Sequence, residues 1–311
     1  MEALLTMGKT LPKSASPHEI GAIICDVFNC KLDEISKVEA LKKGMTNDSF
    51  IFSVGSERYV FRVPGRGTDA LINRKQEHDV YAAIKELAIS DEILYFNEKS
   101  GHKISRYYED SQSLESENVL KAMSLLRKFH SKAIKVSHQF DIWERIEYYL
   151  TLCQNNSTPQ FPGFEVVYQR IIKVNDFLSQ SKKDYILCHV DAVIDNFLVT
   201  SGGNLKLLDW EYAGMADYRI DIAMHAIYSG YSQSGIEELA SLYYGFKPTE
   251  EDMIIIYAYV ALSGFLWSLW TCYKEGQGDD FGDYGSEQFE YADRYSSLVI
   301  QHVVRETNEE R

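Results

Sequence analysis

The sequence predicts an α+β chain: a small β-rich N-terminal lobe over residues 1–110, then a larger, mostly helical C-terminal lobe over residues 111–311. Three observations lead there. From Val38 to Arg106, β-forming stretches alternate with glycine turns around a single helix-periodic segment. Beyond Leu114, nearly every long segment spaces its apolar residues at helical intervals. One irregular polar segment, Tyr185 to Asp217, interrupts those helices and contains a short apolar strand, Leu205 to Leu208, that ends on an acid.

The elements follow in order. Residues 1–15 show no periodicity and read as a lead-in. Gly8-Lys9-Thr10 imitates the end of a P-loop, but the earlier glycine of that motif falls on Ala3, which excludes it. Ser16-Pro17-His18-Glu19 is a capping box with proline at the first helical position, and Ile20, Ile23, Ile24, Val27 and Phe28 supply the apolar face of the helix it opens. Strands are expected at Val38–Lys43, Ser49–Val54 and Arg58–Val63, punctuated by Gly44, Gly55 and Gly65. A helix follows at Asn73–Leu87, then strands at Glu92–Asn97 and His102–Tyr107, and a hinge at Tyr108–Ser111. The second lobe is expected to hold helices at Leu114–Ala133, Asp141–Cys153, Phe164–Gln180, Tyr218–Ser229, Gly235–Tyr244, Glu250–Lys274 and Tyr284–Thr307.

Bulk composition narrows the function classes. With 311 residues, 45% hydrophobic and 25% charged, the chain has the make-up of a globular protein large enough for two lobes. A net charge of −14 argues against nucleic acid or an anionic membrane surface as partner and suits a cationic small substrate. The longest apolar stretch, Met253 to Leu262, is too short to span a bilayer, so no membrane is expected. Five scattered cysteines without a CxxC pair suggest neither zinc nor a disulfide framework. Together with an N-terminus lacking a basic, apolar leader they suggest a reduced, cytoplasmic setting. The sequence does not give the oligomeric state.

The chemistry lies in the irregular segment. Cys188-His-Val-Asp191 is followed by Asn196, five positions past the acid, and then by Leu207-Leu-Asp209-Trp-Glu211, whose aspartate lies eighteen residues after Asp191. Kinases of the protein-kinase type need an aspartate to take the proton of the attacking hydroxyl, and an asparagine and a second aspartate to hold Mg²⁺ on the nucleotide phosphates. Asp191 is the candidate base, and Asn196 and Asp209 are candidate Mg²⁺ ligands offering hard oxygens; Glu211 could add a metal contact. Singly, each would read as a loop cap or surface acid. As an ordered set they point to phosphoryl transfer.

In the first lobe, Lys43-Gly44-Met45-Thr46-Asn47-Asp48 joins two expected strands, and its glycine turn could lay N–H groups over phosphates. Arg62 sits among apolar neighbours in its strand and would require a partner if buried; Glu77 on the next helix is placed to supply one. An edge-strand arginine with a solvated head fits Arg62 alone equally well. Asp221, an acid in an apolar helical start, is expected to brace the catalytic loop as structural support. Trp267 and Trp270 lie three apart on one helix face, and Phe281 and Tyr284 follow a Gly276–Gly278 break that would let them fold back. Trp210, between two candidate ligands, is expected to point into the core.

Taken together these residues resemble the choline/ethanolamine kinase family, within the aminoglycoside-phosphotransferase-like branch of the protein-kinase-like bilobal fold, with the likeness strongest to Lic-type bacterial choline kinases. The matching segments are Gly44–Asn47, the Arg62 strand, Leu71–Arg74 leading to Glu77, Cys188–Asp191 with Asn196-Phe197, Leu208–Ala213, Trp267–Trp270 and Asp280–Gly285. The resemblance implies ATP and Mg²⁺ as cofactors and transfer of phosphate to choline. It implies a nucleotide clamp from Gly44, Met45, Thr46, Asn47 and Arg62, and a choline pocket walled by Tyr212, Trp267, Trp270, Phe281 and Tyr284. Aromatic faces suit a quaternary ammonium, which has no N–H to donate. Two departures stand out: Arg62 replaces a lysine, and Tyr228 replaces an acid that relatives often turn toward the ammonium. The alternatives are a kinase of this fold for ethanolamine, an aminoglycoside or another small amino alcohol, and a non-catalytic choline-binding module.

Overall fold

A computed structural model describes residues 16–41, 46–115, 118–156, 159 and 161–309. It divides into two compact units: the described residues up to Gln112 together with Leu198–Glu211, and Ser113–Phe197 together with Tyr212 onward.

The first unit is built on a five-stranded antiparallel sheet of β1 (Ile35–Ala40), β2 (Asn47–Val54), β3 (Glu57–Pro64), β4 (Ile93–Phe96) and β5 (Lys103–Arg106), in the order β1-β2-β3-β5-β4. Helix α1 (Pro17–Phe28) starts where expected. The Ser16 hydroxyl accepts from the Glu19 N–H, and Asn29 ends the helix in the left-handed conformation. Ile20 and Ile24 of α1 pack with Phe50, Phe52, Phe61 and Ile104 to form this unit's core, where Phe50 stacks on Phe61 at 5.2 Å. Helix α2 (Arg74–Ile84), capped by Asn73, buries Val80, Tyr81 and Ile84 but also Arg74 and Glu77. Strand β1 lies three residues upstream of its expected position, because the burial pattern selects Ile35 and Val38 as its inward residues.

The stretch Leu198–Glu211 was expected in the helical lobe and packs instead with the first unit. Strand β9 (Leu205–Leu207) explains this: the Leu207 N–H donates to Ile89 O at 2.7 Å and the Lys206 ammonium to Ala88 O at 2.6 Å. Short strands β6 (Gln112–Ser113) and β8 (Phe197–Val199) precede it.

In the second unit come helices α3 (Val119–His130), α4 (Ile142–Asn156), α5 (Phe164–Gln180), α6 (Arg219–Tyr228), α7 (Gln233–Tyr244), α8 (Glu250–Gly276) and α9 (Tyr284–Glu309). Two strands that the sequence reading left as irregular, β7 (Tyr185–Cys188) and β10 (Gly214–Asp217), pair antiparallel with Cys188 opposite Gly214. Gly-Met-Ala-Asp carries no β-branched or aromatic residue, so only the pairing reveals β10.

The 27-residue α8 is long and apolar enough to cross a bilayer, a length the Met253–Leu262 run understated. It is buried on every side from Ile254 to Lys274, with α4, α5, α6 and α9 packed around it, and so is the core helix of this unit. Its approach to α9 depends on Gly264. A Cβ there would meet Gln288 O at 2.5 Å and Ala292 N at 2.9 Å, both backbone atoms that cannot turn aside. Gly264→Ala is therefore expected to destabilise the protein by about 1–3 kcal/mol, the usual cost of overpacking. Urea unfolding should show the lower midpoint with an unchanged slope.

Candidate active site

In the first unit four of the charged residues singled out in the sequence meet: Arg62, Glu77, Asp209 and Glu211. Arg62, 4% exposed on β3, makes a two-pronged contact with Glu77 of α2: Nη1 to Oε1 at 2.5 Å and Nη2 to Oε2 at 3.0 Å. This is the expected pair. The same Nη1 reaches Asp209 Oδ1 at 3.3 Å and lies 3.7 Å from Glu211 Oε2. Arg74, on the first turn of α2, bridges Glu77 at 3.1 Å and Glu211 at 3.0 Å. Asn47 Nδ2 donates to Glu211 Oε2 at 3.0 Å, tying the start of β2 to the cluster.

Three carboxylates thus face two guanidinium groups. Burial alone would lower the Arg62 pKa, but Glu77 and then Asp209 and Glu211 outweigh it and pull it up. Burial would raise Glu77, but Arg62, Lys103 and Arg74 hold it below its ordinary value. Glu211 carries the imbalance: burial and then the Asp209 charge push it up to about 7, against the pull of Arg62 and Arg74. Carboxylate oxygens of Glu77, Asp209 and Glu211 lie within 4.8 Å of one another. A cluster of hard oxygens that carries one negative charge in excess once Glu211 is ionised fits a divalent cation such as Mg²⁺. Asp209, a third exposed at its side chain, is the member open to solvent, and it sits at φ +62°. The turn before it is pinned by Trp210, whose buried indole N–H donates to Leu207 O at 2.7 Å.

Of the other clamp residues, Thr46 O accepts from the Gly65 N–H at 3.1 Å, and a Cβ on Gly65 would lie 2.3 Å from that oxygen, so only glycine allows the approach. Gly44 and Met45 lie outside the described residues.

In the second unit Asp191 follows β7. Its carboxylate Oδ2 and its carbonyl both accept from Asn196 Nδ2, at 3.1 and 2.8 Å. The Asn196 nitrogen is thereby committed, and its amide oxygen is the group left for a cation. Asp221, on the first turn of α6, accepts from the His189 N–H at 3.0 Å and the Val190 N–H at 2.6 Å, and pairs with His130 Nε2 at 2.9 Å. Its two oxygens thus hold the two backbone amides that precede Asp191.

The aromatic residues form a continuous run. Tyr212 meets Trp267 edge-on at 5.2 Å, Trp267 meets Trp270 at 5.8 Å, and Trp270 meets Phe281 at 5.0 Å. Trp267 is 6% exposed and donates to Met224 Sδ at 2.9 Å, whereas Trp270 is 1% exposed. Tyr284 lies apart from that run, 6.3 Å from Tyr228. Burial and then the Asp191 charge hold its phenol well above the ordinary value, which places it within electrostatic reach of the candidate base.

Sequence reasoning missed Arg74 as a site cation, although its position three residues before Glu77 on one helix face was the available signal. It also missed Asp195, which accepts from the Tyr228 hydroxyl at 2.8 Å. Nothing in the sequence signals that pairing, which crosses thirty-three residues.

The chain is matched by a family model described as choline/ethanolamine kinase over residues 38–261. It is 28% identical over 266 residues to protein LicA of Haemophilus influenzae, covering 80% of this chain and 77% of that one. A crystal structure of choline kinase LicA from Streptococcus pneumoniae superposes with a TM-score of 0.78 at 29% identity, covering 90% of this chain and 99% of the other. A crystal structure of LicA in complex with AMP gives 0.79 at 28% identity, covering 91% and 98%. The N-terminal antiparallel sheet and the helical C-terminal region are those of kinase-like choline kinases.

The raised Glu211 has a measurable consequence. Its folded-state pKa lies above the ordinary 4.5, so between that value and about 7 the folded protein holds a proton that the unfolded chain has lost. The Glu211 contribution to stability is therefore greatest below pH 4.5 and declines as pH rises through 7, by on the order of 3 kcal/mol for a shift of this size. Glu77, held low, contributes in the opposite sense and titrates below this window. Urea unfolding in the presence of a chelator, compared with Glu211→Gln at pH 5 and pH 8, should show the wild type losing stability relative to the variant at the higher pH. A pH-independent difference would contradict the assignment.

Proposed function

This chain belongs to the choline/ethanolamine kinase family of phosphotransferases, and on that footing we propose that it transfers the γ-phosphoryl group of ATP to the hydroxyl of choline, giving phosphocholine and ADP. The observation that carries the choice of acceptor is the aromatic run Tyr212–Trp267–Trp270–Phe281, with Tyr284 in the same unit as Asp191 and within reach of its charge. A quaternary ammonium offers no donor for hydrogen bonding, and aromatic faces attract it by about 0.5–2 kcal/mol each. Likeness to LicA supports the same acceptor.

Asp191 acts as the base. The choline hydroxyl loses its proton to this carboxylate as the oxygen attacks the phosphoryl group. Asn196 fixes the Asp191 side chain through its Oδ2. Asp209 and Glu211 are the proposed Mg²⁺ ligands, and Asn196 has its amide oxygen for the same kind of cation. When bound, Mg²⁺ neutralises charge developing on the phosphates. Arg62 contributes a cation for the nucleotide phosphates, held in place by Glu77, and Thr46 and Asn47 lead into that strand with Gly44 and Met45 before them.

A second reading, ethanolamine or another small amino alcohol, is favoured by one contact. Tyr228, 6.3 Å from Tyr284, donates to Asp195; a primary ammonium could donate hydrogen bonds to that hydroxyl and carboxylate, whereas a quaternary one could meet the carboxylate only by charge.

Two measurements test the proposal. Asp191→Ala should lower kcat by about 10²–10⁴-fold, the usual worth of a positioned base, while its unfolding curve matches that of the wild type. Trp267→Ala should raise KM for choline by about 2–30-fold, the equivalent of a lost cation–π contact, with a smaller rise for ethanolamine. Trp267 serves better than the more buried Trp270, whose removal would leave a larger cavity. An ADP-release assay with ATP, Mg²⁺ and a panel of amino alcohols reads both, and equal losses on the two acceptors would count against the aromatic cage.

A further inference from the structure

His225 lies one helical turn after Asp221 on α6, and both side chains reach the same loop. Asp221 takes the two N–H groups that precede Asp191, those of His189 and Val190. His225 Nδ1 lies 2.8 Å from the carbonyl oxygen of Ala192, the residue that follows Asp191. A carbonyl can only accept, so Nδ1 carries the hydrogen and the tautomer is fixed. The imidazole is wholly buried, with Phe197 at 5.9 Å and Tyr231 at 6.2 Å from its centre. Burial holds its pKa below the ordinary value, against the opposing pull of the bond to Ala192. Its Nε2 finds no hydrogen-bond partner among the described residues. A leucine would fill such a site without stranding a polar atom, so what the histidine adds is the single bond to Ala192.

We propose that His225 is a positioning residue for the kinase reaction: by holding the Ala192 carbonyl while Asp221 holds the His189 and Val190 amides, it fixes the backbone on both sides of Asp191. This rests on the reading of Asp191 as the base. Displacing a catalytic group by about 1 Å can cost up to about a hundredfold in rate, so the bond acts on turnover and leaves substrate affinity alone.

Three variants separate tethering from filling. Asparagine places its amide nitrogen where His225 Nδ1 lies, glutamine places its own nearer Nε2, and leucine has no donor. His225→Leu and His225→Gln should lower kcat by about 10–100-fold with KM for ATP and the amino alcohol changed less than about threefold, whereas His225→Asn should stay within about threefold of wild-type kcat. Amide hydrogen exchange over residues 186–196 should accelerate in the first two variants and not in the third. Wild-type kcat in a folded His225→Leu would overturn the proposal. So would a folded His225→Asn as impaired as His225→Gln, a comparison that remains if the leucine variant fails to fold. An inactive wild type across the acceptor panel would overturn the kinase reading instead, and the exchange rates would still decide whether His225 tethers the loop.

Discussion

The excess of buried carboxylate over guanidinium around Arg62 is the constraint on which the first unit depends. Each of these groups would be costly alone in a buried setting. Together Glu77, Asp209 and Glu211 with Arg62 and Arg74 satisfy most of their hydrogen-bonding capacity, and one negative charge remains. That remainder makes the cluster's contribution to stability depend on pH. The Asp209 side chain, a third exposed, is the member of the cluster open to solvent. The cluster also explains why β9 joins the sheet unit: the acids it delivers are the counter-ions of β3 and α2.

The arginine at position 62 follows from the same constraint. A lysine would bring one compact charge, which could satisfy one oxygen of Glu77 well. The guanidinium satisfies both oxygens of Glu77 and still reaches Asp209 through the same Nη1. Arg74 then completes a second bridge from Glu77 to Glu211, so that α2, β3 and the end of β9 are held by one network.

How far the sequence anticipated this depended on the range of the interaction. Arg62–Glu77 was legible because both residues lay in short, well-patterned elements and a buried cation demanded a partner. Asp221 was legible for the same reason, as an acid where the pattern called for an apolar residue. Strands β7 and β10 were not, since Gly214–Asp217 has no β-forming residue and owes its state to pairing with Cys188 and its neighbours. The partition of Leu198–Glu211 was hidden too, because it is decided by hydrogen bonds to Ile89 and Ala88, more than a hundred residues earlier. Local pattern sets elements, and contacts between distant segments set their allegiance.

Backbone strain at the two candidate acids completes the picture. Val190 has φ +70° and Asp209 has φ +62°. For a β-branched valine that conformation costs on the order of 1–3 kcal/mol and persists only where the surroundings over-determine it. Here they do: the Val190 N–H is held at 2.6 Å by Asp221, and the neighbouring His189 N–H by the other oxygen of the same carboxylate. The turn at Asp209 is held by the Trp210 indole on one side and Arg62 on the other. In both places a short-range bond from a buried side chain offsets a backbone cost located at, or one residue before, an acid given a chemical role. Strain of that kind at a surface loop would have relaxed; at these two positions it fixes where a carboxylate begins, which is what phosphoryl transfer by positioning requires.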